Sequence, residues 1–185
     1  MSDDRPIEEL REAVDSLSEE RARTLLGWLR MMRREPHTSE GEQSVGPLGD
    51  TLGMATVARG PGWCRMRLDV DPAWQNPNGV LHGGVVYTLI DYSMGGSLQP
   101  NLPEGQFCTT IEVKVNYLAP VRQGTLIAET EVVKEGRNVA FLECKVKDEQ
   151  GRLVATASGS MFIVRPDGRA QTGPRPGASA RNAQE

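Results

Sequence analysis

The spacing of apolar positions changes character along the chain. Leu10, Val14, Leu17, Leu25, Trp28, Leu29 and Met32 recur at helical intervals with polar residues between them. That stripe predicts amphipathic helix. Pro6 suits a first helical turn. Ser16 with Glu19 three residues on has the form of a capping box, so the stripe reads as two helices meeting near residues 15–18. Residues 35–44, opening Glu35-Pro36, are polar and read as a linker. Further on, residues 52–59 and 63–70 flank Gly60-Pro61-Gly62 and predict a hairpin. Residues 74–81 carry the turn chemistry Asn76-Pro77-Asn78-Gly79. The apolar run 82–98 is longer than a strand and predicts one buried helix. Four strands follow at 107–118, 125–134, 138–147 and 152–164, the first with alternation at Ile111, Val113, Val115 and Tyr117. Two strands, a helix and four strands predict an α+β layer: a curved antiparallel sheet wrapped around one long central helix, with an N-terminal helical extension. There is no internal repeat. Residues 165–185, rich in Pro, Gly, Ala, Arg and Gln, have too little to bury and predict a disordered tail. The expected organisation is a helical extension and linker over 1–46, one domain over 47–164, and the tail.

Charge and composition narrow the function classes. The 185 residues include 21 Lys+Arg and 25 Asp+Glu, a net charge of −4. Residues 1–45 hold 11 Asp+Glu and 7 Arg, and so carry all of that net charge. Such a balance lacks the basic face of a nucleic-acid protein, although Arg30, Arg33 and Arg34 cluster in the extension. No apolar run approaches the roughly 18 residues of a membrane span. The start, Met1-Ser2-Asp3-Asp4-Arg5-Pro6, lacks the apolar region of a secretory leader. Cys64, Cys108 and Cys144 are odd in number and form no CxxC pair, which suits buried thiols in a reducing cytoplasm. With only His37 and His82, a multi-His metal site is excluded.

The chemistry concentrates in Asn76-Pro77-Asn78-Gly79-Val80-Leu81-His82-Gly83-Gly84-Val85-Val86-Tyr87-Thr88-Leu89-Ile90-Asp91. Two glycines open the helix, at a cost of about 1 kcal/mol each relative to alanine. They let another group approach the first turn, whose free N–H groups stabilise negative charge, an oxyanion included. Asp91 is the second anomaly, a carboxylate among Val85, Val86, Leu89, Ile90 and Met94. It is a candidate general base or nucleophile. The alternative is a solvated helix face, or a carboxylate bonded to a neighbouring element. Gly83 and Asp91 are eight residues apart, roughly 12 Å along a helix. One helix cannot bring both to a single carbon. A shared site therefore requires the Asp of a second copy, which predicts a homodimer with two equivalent composite sites.

The run Asn76-(x)5-His82-Gly83-Gly84-(x)6-Asp91 resembles the hotdog-fold acyl-CoA thioesterases, in their phenylacetate-pathway (PaaI-like) branch. The stretch Glu112 to Val121, with Tyr117-Leu118-Ala119-Pro120, resembles that family's strand and turn. So do Gly124, Gly136-Arg137 and the Asp148–Val154 turn; the likeness covers roughly residues 47–164. It implies the hotdog fold and an acyl-CoA substrate, with no cofactor or metal, and a homodimer assembled as a dimer of dimers, without nucleic acid or membrane. It implies Asp91 as base or nucleophile, and the N–H of Gly83 as the group polarising the thioester carbonyl. Asn76 would orient the carbonyl or the water, and Thr110, or Thr109 one register away, would hold the water. Gly84 would line the substrate path, His82 would position the loop, and Arg137 would contact the CoA phosphates. Tyr92 departs from the pattern, being bulky beside the carboxylate. Tyr87 and Met94 suit either an acyl pocket or plain core.

Three other readings compete. A non-catalytic acyl-CoA-binding module with the N-terminal helices as output would be marked by loss of the carboxylate, yet Asp91 is present. A hydratase of the same fold needs an Asp and a His close together, and His82 lies too far along. A metal hydrolase or cysteine nucleophile lacks ligands and a second suitable His.

Overall fold

The computed structural model describes residues 5–19, 21, 22, 25, 26 and 39–166. The chain divides into two compact units, Met1–Glu35 and Pro36–Glu185. In the first, α1 spans Arg5–Asp15. The capping residue is Ser18, not Ser16. Ser18 Oγ accepts from the Arg21 N–H at 3.4 Å, and its carbonyl accepts from Ala22. The Ser16 hydroxyl turns back to the Ala13 carbonyl at 2.7 Å, the habit of a serine in a last helical turn. Trp28, Leu29 and Met32 of the stripe, and the tail beyond residue 166, lie outside the described residues.

The second unit contains α2 (Pro47–Leu52), β1 (Met54–Gly60), β2 (Trp63–Asp69), α3 (Gly83–Leu98), β3 (Phe107–Tyr117), β4 (Thr125–Glu135), β5 (Val139–Asp148) and β6 (Leu153–Val164). The six strands form one antiparallel sheet in the order β1-β2-β4-β5-β6-β3. Alternation sets its inner face: Cys64, Met66 and Leu68 on β2, and Ala140, Leu142, Cys144 and Val146 on β5, are buried while their neighbours are not. Against that face lies α3, which buries Val85, Val86, Leu89, Ile90, Ser93, Met94, Ser97 and Leu98. Little of its circumference is polar, as expected of a helix enclosed by a sheet. The one hydroxyl pair inside is matched, Ser93 Oγ to Thr130 Oγ1 at 2.8 Å. Gly96 permits a close approach: a Cβ there would stand 2.8 Å from Cys64 Sγ.

Residues 39–46 belong to this unit and pack on it. Gln43 bridges Thr56 with both backbone groups, N–H to O at 3.0 Å and O from N–H at 2.9 Å. Glu42 pairs with Arg67 at 2.7 Å, with side chains 11% and 12% exposed. The stretch read from sequence as linker is thus a strap on the edge strand β1. Helix α2, absent from the sequence reading, follows it. Asp50 holds the entry by accepting from the Ser44 hydroxyl at 2.6 Å and the Val45 N–H at 3.2 Å. Among the described residues, no helix is long and apolar enough to cross a membrane, and no cluster of His, Cys, Asp and Glu is arranged to hold a metal ion.

Candidate active site

The loop into α3 is self-braced. Asn76 donates its N–H to the Val80 carbonyl at 2.8 Å, and its carbonyl accepts from Gly79 at 2.9 Å, where φ is +68°. Its side-chain Oδ1 accepts from the N–H groups of Asn78 at 2.9 Å and Val80 at 3.4 Å. Asn76 therefore spends its oxygen on its own turn and keeps the amide Nδ2 as its remaining arm. His82 is tied to Trp74 by its N–H, and enters the helix as N-cap at φ −62°, ψ 131°.

The N-cap decides which backbone donor stays open. His82 Nδ1 accepts from the Gly84 N–H at 3.0 Å, and the His82 carbonyl accepts from Val85 at 2.9 Å. The N–H of Gly83 makes no hydrogen bond among the described residues, and it sits at the positive end of the helix. Tyr117 locks this residue from the side. Its hydroxyl donates to the Gly83 carbonyl at 2.9 Å, and a Cβ on Gly83 would stand 3.2 Å from the ring. Burial first, then the neighbouring Tyr87, hold the Tyr117 phenol above its usual range, so it stays a donor. This corner opens on a cavity of about 290 Å³ walled by Val86, Leu118, Pro120, Val121 and Val154.

Asp91 lies two turns further along. It is half-buried, and its Oδ1 accepts from Thr110 Oγ1 at 2.7 Å. Thr110 stands on β3 just before a bulge at Ile111, a device that re-aims a side chain. Of the two threonines weighed from sequence, Thr110 is the one bonded to Asp91; Thr109 pairs with Phe162. Asp91 and Thr110 face a cleft of about 530 Å³ that also takes Tyr92, Gly95, Gly96 and Gln99 from the helix, Arg59 from β1, and Gln43 from the strap. Cys108 lines the same cleft. Burial, and secondarily the Asp91 charge, push its thiol up against a backbone hydrogen bond, so it is no ready nucleophile. Burial likewise raises Cys64, and it lifts Cys144 to about 11; all three thiols are free.

The structure thus brings Asp91 together with Thr110, and Gly83 with His82, Gly84 and Tyr117, but places the two groups at separate cavities. Arg137 is exposed at the tip of the β4–β5 hairpin and lines neither. Met94 is fully buried core and Tyr87 is 38% exposed; neither reaches the Asp91 cleft. Tyr92 does line it. Three residues escaped the sequence reading, Tyr117, Arg59 and Gln43. Tyr117 was legible as strand alternation and as part of the strand-end turn, but nothing local couples it to Gly83.

Known proteins resemble this chain in sequence and fold. The family model described as the thioesterase superfamily matches residues 78–155, which include Gly83, Asp91, Thr110 and Tyr117 but not Asn76. A Haemophilus influenzae protein with a provisional esterase assignment is 30% identical over 115 residues, covering 61% of this chain and 82% of that protein. The 1,4-dihydroxy-2-naphthoyl-CoA hydrolase of Listeria monocytogenes is 26% identical over 116 residues, 63% of this chain and 94% of the relative. In three dimensions, the phenylacetic acid degradation protein PaaI of Thermus thermophilus, solved as a point mutant, superposes with a TM-score of 0.59 at 24% identity, covering 63% of this chain and 98% of that one. It shares the fold, one antiparallel sheet around one long helix. The chain belongs to the thioesterase superfamily and is a hotdog-fold thioester hydrolase.

Proposed function

We propose that the protein hydrolyses an aryl- or alkyl-CoA thioester to a carboxylate and CoA, using Asp91 of one protomer and the Gly83 N–H of its partner copy. One observation carries this reading. The carboxylate is hydrogen-bonded and faces a cleft, while the open helix-terminal N–H of the same chain belongs to another cavity. Thr110 donates its proton to Asp91, so its lone pairs are free to accept from a water. The carboxylate then takes a proton as the water oxygen bonds to the carbonyl carbon. The Gly83 N–H, with the helix terminus behind it, stabilises the oxyanion that forms. Collapse breaks the C–S bond, and the proton passes to the departing thiolate. Direct attack by Asp91, through an anhydride that water then opens, uses the same atoms.

A second copy is supported by β3. It is an edge strand of 11 residues, and Phe107, Ile111, Tyr117 and the adjoining Leu118 are 45–56% exposed. An uncovered edge of that length and apolarity invites pairing with another strand. A dimer of dimers and a cytoplasmic setting, where three free thiols persist, complete the proposal. The binding-module alternative loses support because the carboxylate is present and positioned. Asn76 Nδ2 is proposed to orient the substrate carbonyl or the water, and Arg137 to meet the CoA phosphates.

The test is thiol release from a panel of aryl- and alkyl-CoA thioesters by wild type and Asp91→Asn. A fall in kcat of about 10²–10⁴ in a variant that stays folded and dimeric is expected. Undiminished turnover in Asp91→Asn would remove Asp91 from the chemistry.

A further inference from the structure

The Asp91 cleft contains a charge that thioester hydrolysis does not require. Among the described residues, Arg59 is the only cation lining it, and Asp91 the only carboxylate. The Arg59 guanidinium has a neutral partner: Nη2 donates to Gln43 Oε1 at 3.2 Å, and no carboxylate of the described residues pairs with it. Gln43 is itself fixed, because its backbone is bridged to Thr56 and the next residue back is held in the Glu42–Arg67 ion pair. The strap therefore presents an oriented guanidinium, with most of its five donors unspent, to a cleft.

Register sets Arg59 beside the helix that carries Asp91. Arg59 stands opposite Cys64 in the β1–β2 pair and so shares its face of the sheet, the face that carries α3. Cys64 Sγ abuts Gly96, five residues beyond Asp91, or about 7–8 Å along the helix. Beyond Asp91 the helix lines the cleft with Tyr92 and two glycines, Gly95 and Gly96. An acyl chain lying there would have its thioester carbon at Asp91 and its far end at Arg59.

We infer that the acyl group this enzyme takes carries its own carboxylate, bound by Arg59, and that the substrates are short dicarboxylic monothioesters of about glutaryl length. This rests on the thioesterase reading proposed above. A glutaryl chain with a charge-assisted hydrogen bond of about 2.8 Å at its far end is of the same order as the helical rise from Asp91 to Gly96. The negative end is also kept away from Asp91, which like-charge repulsion requires.

The experiment compares glutaryl with valeryl thioesters, equal in length and differing only in the terminal group. Each acyl is carried on CoA and on N-acetylcysteamine, which has no phosphates. Wild type is expected to favour glutaryl by roughly tenfold or more in kcat/KM on both carriers, and Arg59→Met to erase or invert that preference. A ratio of rates within one variant cancels its folded fraction, so partial misfolding does not mimic the result. An unchanged ratio in Arg59→Met overturns the inference. So does a loss shared by both acyl groups on CoA and absent on N-acetylcysteamine, which would make Arg59 a phosphate anchor. Failure of wild type on all four thioesters overturns this inference, and strikes the thioesterase reading only if the aryl- and alkyl-CoA panel fails as well, whereas good valeryl turnover without a glutaryl preference strikes only this inference.

Discussion

The first and third turns of α3 prepare their chemistry by opposite means. At the first turn the useful group is backbone. Glycine keeps the approach open, and the His82 ring consumes the Gly84 N–H, which leaves that of Gly83 unspent. At the third turn the useful group is a side chain, Asp91, aimed by the hydroxyl of Thr110. Both turns are braced from one strand, because Tyr117 and Thr110 both lie on β3. The difference teaches that neither half is a site alone. One supplies a donor for negative charge, the other a proton acceptor, and a rigid helix holds them about 12 Å apart.

The strongest way to break this comparison is to disable each half in a different chain. Proline at position 83 removes the N–H, and the backbone should accept it once the Tyr117 ring gives by a few tenths of an ångström. The first helical position tolerates proline, and His82 already has the extended backbone that a pre-proline residue adopts. Gly83→Pro is expected to lower kcat by about 10²–10³, with the helix retained by circular dichroism. Mixed with Asp91→Asn under subunit exchange, it should restore about a quarter of wild-type activity, since half the dimers then contain one intact site of two. If exchanged mixtures stay inactive, the composite site is wrong.

A smaller effect sharpens the first-turn half. Tyr117→Phe deletes the hydroxyl that holds Gly83 and should lower kcat roughly two- to tenfold with little change in KM, the worth of one hydrogen bond. In the Gly83→Pro background the same change should cost nothing further. Equal losses in both backgrounds would make Tyr117 a packing residue only.

The smallest effect separates scaffold from site. On the outer face of the sheet, the Lys147 hydrogen bond, against some desolvation and with help from Arg65, holds Glu129 below the usual carboxylate range. A depressed carboxylate stabilises the fold fully above its unfolded pKa of about 4.3, and that contribution fades as pH falls through the lower folded value. The unfolding midpoint should therefore be flat with respect to this group from pH 7 to about 5, and fall below that. Glu129→Gln should shallow the acid slope slightly, as befits a half-exposed pair. An equally steep slope in the variant would assign acid lability elsewhere.

Much of the fold was legible because its signals are local. Gly60-Pro61-Gly62 and the turn at residues 148–151 bounded strands that the structure places within a residue or two of expectation. The site's centre was legible for a related reason. Two glycines at a helix start and a carboxylate inside an apolar helix break local rules, and such breaks stand out. The strap at residues 39–46 did not stand out. Its polar composition is that of a linker, and partners distant in the chain, Thr56 for Gln43 and Arg67 for Glu42, give it a place. Helix α2 is too short to announce itself by propensity, and it forms because Asp50 reaches back to Ser44 and Val45.

By itself the sequence determined the order of the elements, the α+β class and the separation of Gly83 from Asp91, on which the proposal of a second copy rests. Each follows from period, turn chemistry or the rise of a helix, which depend on neighbours in the chain. Tertiary structure alone decided that Thr110 rather than Thr109 bonds Asp91, that Tyr117 holds Gly83, and that Arg59, oriented by Gln43, lines the Asp91 cleft. Those pairings span 19, 34 and 16 residues of chain. They are set by a bulge, a sheet register and a strap, and strand register turns on which faces the core buries, a property of the packed whole.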